Sequence, residues 1–204
     1  MIWWSYPIFV QNFKRMVAKL ALLASGTGTN VKNIIAHFEG NEDISVDCVI
    51  SNKMNAGALD FGLEKDIDCF VFTKGEFMDG SVQELLEERG ITHIVLAGFL
   101  LKIPEDLVSK FQDRIINIHP ALLPNYGGKG MYGMNVHNAV YSNKDKVSGI
   151  TIHLVNEEYD KGRTLAQFEV NVEGENPEGI SAKVRQLEQL YFPGVIEDYI
   201  RSNN

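Results

Sequence analysis

From residue 17 onward the chain alternates short runs rich in β-branched and apolar residues with stretches of helical periodicity, and this alternation leaves little choice of architecture. Parallel strands need a crossover between them, so repeated strand–helix–strand units predict a mostly parallel sheet with helices on its faces. The runs 17–24 (VAKLALLA), 46–51 (VDCVIS), 68–72 (DCFVF), 93–98 (HIVLAG) and 114–119 (RIINIH) read as five such strands. Past the fifth the style changes to a Gly-rich loop, PNYGGKGMYG, and then a short helix from about Asn135. Two strand-like runs follow at 149–155 and 165–172, joined by a turn, and they should close the sheet with antiparallel pairing.

Local signals place several helix ends. Ser81 with Glu84 reads as a capping box, and Pro104 followed by Glu105 and Asp106 suits a first turn. Asn176–Pro177 is a cap followed by a first-turn proline, after which Ile180, Val184, Leu187 and Tyr191 recur at helical spacing. This last helix should lay one face on the sheet, and Pro193 within it is expected to kink or divide it.

At 204 residues, 45% hydrophobic and 23% charged, the chain fits one domain with an ordinary core, and no repeat or linker interrupts it. The first fifteen residues, MIWWSYPIFVQNFKR, stand outside the pattern. Their basic residues follow the apolar part instead of preceding it, and the run is too short to span a bilayer. They read as an N-terminal extension ahead of a domain over 16–204, with Met16 an alternative start. The formal net charge of −8 disfavours a surface that neutralises nucleic-acid phosphates, while a single phosphate can still be held locally. Cys48 and Cys69 lack metal-type spacing and read as reduced thiols in the core.

Three places carry chemistry. The turn ASGTGTN (24–30) joins a strand to a helix, where unpaired amides and the helix dipole suit a phosphate. Its spacing is not that of a dinucleotide site, since Val31 stands where the third glycine belongs, although Asp47 lies near the place of a ribose-binding acid. In NIHP (117–120), Asn117 and His119 interrupt a buried apolar strand and share one face at its carboxyl end, where open α/β sheets bind ligands. An amide donor beside an imidazole suits acyl transfer, the one for an oxyanion and the other for a proton, while a core histidine satisfied by a carbonyl is the ordinary alternative. Asp160, in the turn NEEYDKGR, could orient His119 and favour its protonated form, or could merely close an Asx turn; nothing in the spacing shows that they meet.

Taken together, SGTGTN, AGFLLKIP, NIHPALLP and EYDKG resemble the glycinamide ribonucleotide formyltransferases, over nearly the whole chain from about Val17 to Tyr199. The resemblance implies a single-domain, Rossmann-like formyltransferase fold of the α/β class, with a mostly parallel sheet, antiparallel late strands and a long C-terminal helix. It also implies formyl transfer from 10-formyltetrahydrofolate, as co-substrate and without a metal, to the glycine amine of a phosphorylated ribonucleotide. Asn117, His119 and Asp160 would be catalytic, and Gly28, Thr29 and Asn30 would hold the phosphate. Glu188 would take the glycinamide or ribose end, or be an ordinary solvated helix carboxylate. The folate would lie against Leu100, Leu101, Lys102 and Ile103, against Asn117, and against the loop Asn156, Glu157, Glu158, Tyr159 and Asp160. Many members carry an arginine where Leu101 stands, with Lys102 next here; Lys129 in the Gly-rich loop is either a reach toward an anion or a solvated charge. The partners implied are small molecules, with no nucleic acid or membrane, for a cytoplasmic monomer or homodimer in purine synthesis. The alternatives are a formyltetrahydrofolate hydrolase and a non-catalytic nucleotide binder, which would need only the Gly-rich turn.

Overall fold

The computed structural model of the protein describes residues 17–203, so the reading of residues 1–15 as an extension, and of Met16 as a start, concerns a segment outside the described residues. The elements run β1 (Ala18–Leu23), α1 (Thr29–Phe38), β2 (Ile44–Ser51), α2 (Gly57–Leu63), β3 (Asp68–Val71), α3 (Lys74–Met78), α4 (Ser81–Glu88), β4 (His93–Leu96) and α5 (Glu105–Lys110). They continue with β5 (Ile115–His119), α6 (Met134–Ser142), β6 (Val147–Leu154), β7 (Thr164–Asn171) and α7 (Pro177–Asn203). The strands form one sheet in the order β3-β2-β1-β4-β5-β6-β7, in which the first five are parallel and the last two antiparallel. This is the architecture the alternation of patterns predicts.

Because strand side chains alternate between faces, β1 sends Ala18, Leu20 and Leu22 into one core and Ala21 and Leu23 into the other. The first core is closed by α1, α2, α6 and α7 through residues such as Ile34, Leu59, Val140 and Phe192. The second is closed by Phe77 of α3, Leu86 of α4 and Leu107 of α5. On β5 the same alternation puts Ile116 and Ile118 in the first core and Ile115 in the second. Asn117 and His119 share the face of Ile115.

The helix ends correct two local expectations and bear out a third. Ser81 is the first residue of α4 and not its cap: Gly80 holds the cap position in a left-handed conformation, and the Ser81 hydroxyl and amide both donate to Asp79. The capping box lies one helix earlier, where Thr73 accepts from the Glu76 amide at 3.3 Å and the Glu76 carboxylate accepts from the Thr73 amide at 2.7 Å. Pro104 occupies the cap of α5, one residue earlier than the first turn, with Glu105 and Asp106 inside it. Asn176 does cap α7, accepting from the Gly179 amide at 2.8 Å, and Pro177 is its first residue. Cys48 is buried in the second core; Cys69 is only half-buried, and both are free thiols. Asp47 is taken by Lys19 at 3.2 Å and by Arg89, and so is not held for a ribose.

Pro193 does not divide α7, which runs unbroken for 27 residues, roughly 40 Å. A proline at this position deprives the Gln189 carbonyl of its donor. That carbonyl instead accepts from the Asn33 side chain of α1 at 2.6 Å, so a bond between helices replaces the one missing within the helix. No helix of the described residues is long and apolar enough to cross a membrane.

Replacing Asn33 by Ala should cost about 1 kcal/mol, since it removes the donor that stands in for the missing helical amide at the Gln189 carbonyl. In a Pro193→Ala background, where residue 193 supplies the amide, the same replacement should cost clearly less. Urea denaturation of the four proteins of this cycle reads the difference, and equal costs in both backgrounds would refute the compensation.

Candidate active site

At the carboxyl end of β5 the parallel part of the sheet meets the antiparallel part, and a cleft of about 540 Å³ opens there. Its volume suits ligands larger than a single metabolite fragment. Asn117, His119 and Asp160 all line it. Sequence spacing could not show whether the last two meet; they do, with His119 Nδ1 lying 3.7 Å from Asp160 Oδ1.

Each partner of His119 comes from a different segment. Its Nε2–H donates to the Tyr126 carbonyl at 2.8 Å, which turns Nδ1 toward Asp160. Tyr126 and Asp160 both adopt left-handed backbone angles, φ 56° and 55°, uncommon for residues other than glycine. The strain is held in place from outside. The Tyr126 hydroxyl bonds Asp145 and accepts from Asn143 at 2.7 Å, while Asp160 Oδ2 accepts from the Gly128 amide at 2.8 Å. Residues in such conformations cluster at functional sites. Asp160 therefore tethers the Gly-rich loop; the Asx turn in its segment is made by Asn156, which accepts from the Glu158 amide at 3.1 Å.

His153 is the member that sequence reasoning missed. It faces Asn117 across the β5–β6 pairing, and its Nε2 accepts from Asn117 Nδ2 at 3.1 Å while its Nδ1–H donates to the Leu154 carbonyl at 2.8 Å. The ring thereby fixes which way the Asn117 amide points. His153 Nε2 also lies 3.7 Å from Asp160 Oδ1, so two imidazoles flank one carboxylate. The available signal was a histidine interrupting the apolar run GITIHLV, as Asn117 and His119 interrupt theirs.

The charges follow from this packing. Burial pushes the Asp160 carboxyl up, but the His153 contact and the bond from the Gly128 amide outweigh it and hold the group below the usual carboxylate range. Burial dominates at His119, and despite Asp160 and the bond to Tyr126 its pKa is lowered. Asp160 does favour the protonated ring, as expected, but desolvation of a side chain only 4% exposed outweighs it.

The Gly-rich turn behaves as a helix head. Gly28 caps α1 at φ 79°, and a Cβ there would stand 2.4 Å from the Ala58 Cα, so both backbone and space demand glycine. Gly26 and Asn30 line the cleft, whereas Gly28 and Thr29 are not among its lining residues. Asn30 Nδ2 donates to Glu188 Oε2 at 2.8 Å, which ties α1 to α7 and takes one of the two amide hydrogens that the turn was expected to offer a phosphate. Glu188 is not a free helix carboxylate: burial raises its pKa, with Asn30 and Arg185 opposing.

Every residue expected to meet folate lines the cleft: 100–103, Asn117 and 156–160. The first segment is pinned to the Gly-rich turn, since the Leu100 amide donates to Ser25 Oγ at 2.9 Å and the Ser25 amide donates to the Gly98 carbonyl at 3.1 Å. Lys129 also lines the cleft, from the exposed loop. His137, Ser181, Val184 and Arg185 complete the α6 and α7 wall, and of these the sequence had named only Val184, for its helical spacing.

Residues 18–196 match the formyl transferase family. The chain is 41% identical over 189 residues to the chloroplastic phosphoribosylglycinamide formyltransferase of Arabidopsis thaliana, covering 87% of this chain and 64% of that protein. It therefore spans a little under two thirds of that plant relative. It is 34% identical over 186 residues to the phosphoribosylglycinamide formyltransferase of Haemophilus influenzae, covering 88% and 85% of the two chains. Among solved structures, the phosphoribosylglycinamide formyltransferase of Anaplasma phagocytophilum superposes with a TM-score of 0.81 at 28% identity, over 88% and 85% of the chains.

Burial also lowers His93 and His137, each to about 4. A histidine with a depressed folded pKa stabilises the fold above its unfolded pKa of about 6.5, and this contribution is lost as pH falls toward the folded value. Between pH 7 and 5 each of the two should remove on the order of 2 kcal/mol. Denaturation at the two pH values measures this, and His93→Gln should flatten the dependence; an unchanged slope would contradict the buried neutral ring.

Proposed function

Because the chain belongs to the phosphoribosylglycinamide formyltransferase family, we propose that it transfers the formyl group of 10-formyltetrahydrofolate to the glycine amine of phosphoribosylglycinamide, releasing tetrahydrofolate, in purine synthesis. The observation that carries the reading is the convergence of Asn117, His119 and Asp160 on one cleft wall, with His119 Nδ1 3.7 Å from the Asp160 carboxylate. Such a pair is built to receive a proton. Transfer of a formyl group from nitrogen to nitrogen requires a tetrahedral oxyanion to be stabilised, a proton to leave the attacking amine and a proton to reach the departing nitrogen.

In this reading the amine attacks the formyl carbon. Asn117, whose Nδ2 already spends one hydrogen on His153, turns its other toward the oxyanion. His119, whose burial disfavours the charged ring at rest, takes the amine's proton on Nδ1, and the Asp160 carboxylate stabilises the imidazolium that results. Water relays the proton to the leaving nitrogen. No covalent intermediate and no metal takes part. The folate lies against 100–103 and 156–160, the phosphate at Gly28, Thr29 and Asn30, and the ribose or glycinamide at Glu188. For Asn30 this means its backbone amide and the Nδ2 hydrogen not spent on Glu188.

The proposal extends to a cytoplasmic monomer or homodimer acting on small molecules, with residues 1–15 an extension of a domain over 16–204. A net charge of −8 is the wrong sign for a nucleic-acid partner.

The test follows formyl transfer from 10-formyltetrahydrofolate to phosphoribosylglycinamide by the change in folate absorbance. Asp160→Asn and Asn117→Ala should each lower kcat about 10²- to 10⁴-fold while folate still binds. A wild-type protein that hydrolyses the folate without forming the formylated product would be a hydrolase, and one that binds no folate would sink the assignment.

A further inference from the structure

An uncharged imidazole has one hydrogen for two nitrogens, and two acceptors face the ring of His119. The Tyr126 carbonyl lies 2.8 Å from Nε2, and the Asp160 carboxylate lies 3.7 Å from Nδ1. A carboxylate is the stronger acceptor, so at equal distances the hydrogen would settle on Nδ1. That nitrogen would then have no lone pair for an incoming proton. The shorter contact decides the other way, keeping the hydrogen on Nε2 and leaving Nδ1 basic. Whatever fixes the Tyr126 carbonyl therefore fixes which nitrogen is the base.

The cleft itself does not fix that carbonyl, since neither Tyr126 nor the partners of its hydroxyl line it. Tyr126 stands at φ 56°, a conformation that a residue with a side chain keeps only where its surroundings impose it. Here the ring packs against the first core, and the hydroxyl donates to Asp145 Oδ2 while accepting from Asn143 Nδ2 at 2.7 Å. Both partners belong to the turn between α6 and β6. Asn143 is the C-cap of α6, with its amide bonded to the Ala139 carbonyl at 3.0 Å. The Asp145 amide donates at 3.2 Å to the carbonyl of Val140, which is buried in the same core. The turn is thus a platform seated on the core, and the phenol ties to it the loop that carries the carbonyl.

We propose that Tyr126 is a positioning residue: anchored through its hydroxyl to Asn143 and Asp145, it holds His119 in the Nε2–H tautomer and so keeps Nδ1 as the proton acceptor. The inference rests on the function proposed above for the proton that Nδ1 receives. Without the anchor the carbonyl retreats, the hydrogen moves to Nδ1 and is donated to Asp160, and the base is lost.

Nitrogen NMR of isotope-labelled histidine rings in the whole protein, above the pKa of the ring, reads the tautomer without requiring turnover; the His119 signals are those that vanish in His119→Gln. The wild type should show hydrogen on Nε2. Tyr126→Phe and Asp145→Ala should each move a measurable share of it to Nδ1 and lower kcat about 10-fold, a fraction of what a general base contributes, with both KM values unmoved. Asp145→Asn, whose amide oxygen still accepts from the phenol, should restore the wild-type tautomer, which a loss of packing alone would not explain. A tautomer unmoved in both variants, or a moved tautomer with an unmoved kcat, overturns the proposal. If the tautomer moves as expected while the wild type transfers no formyl group, the assigned reaction fails and the hold of Tyr126 on His119 stands.

Discussion

A buried imidazole must find partners for both ring nitrogens, and the arrangement around His119 follows from meeting that demand. One nitrogen donates to the Tyr126 carbonyl and the other faces Asp160. To supply those partners, two segments from different parts of the chain must converge on the end of β5, each with a residue in a left-handed conformation. The Gly128 amide on Asp160 and the Asn143 and Asp145 contacts of Tyr126 stiffen that convergence. Satisfying the ring therefore shapes the Gly-rich loop and the β6–β7 turn that enclose the cleft.

The sheet provides the place for this. Its switch from parallel to antiparallel pairing falls at β5, so one neighbour, β6, runs back past the site and sets His153 opposite Asn117. A wholly parallel sheet would carry its next strand away through a crossover. With the switch, four polar side chains from three segments meet, Asn117 bonded to His153 and the Asp160 carboxylate 3.7 Å from each ring, its pKa held low.

The opposite wall is joined to the scaffold by similar exchanges. Pro193 removes a bond within α7, and Asn33 of α1 restores it from outside; one turn earlier Asn30 bonds Glu188. The two helices that frame the cleft are thus linked by side chain bonds at two successive levels. This explains why Pro193 could be expected to break the helix and does not: the rule concerns an isolated helix, whose orphaned carbonyl would have only water.

The sequence by itself determined the element order, the sheet's change of sense and the candidate trio, because strand and helix periods, and polar residues breaking a buried run, are local properties of the chain. It also carried the family resemblance. Local signals erred where a competitor sat within a few residues, as at Ser81, whose hydroxyl prefers Asp79 while Thr73 makes the capping box. What only the tertiary structure decided was which distant groups touch: Asp160 with His119, His153 with Asn117, and Glu188 with Asn30. Protonation was decided there too, since whether His119 is charged depends on burial outweighing a neighbouring carboxylate, a balance set by packing across the whole domain.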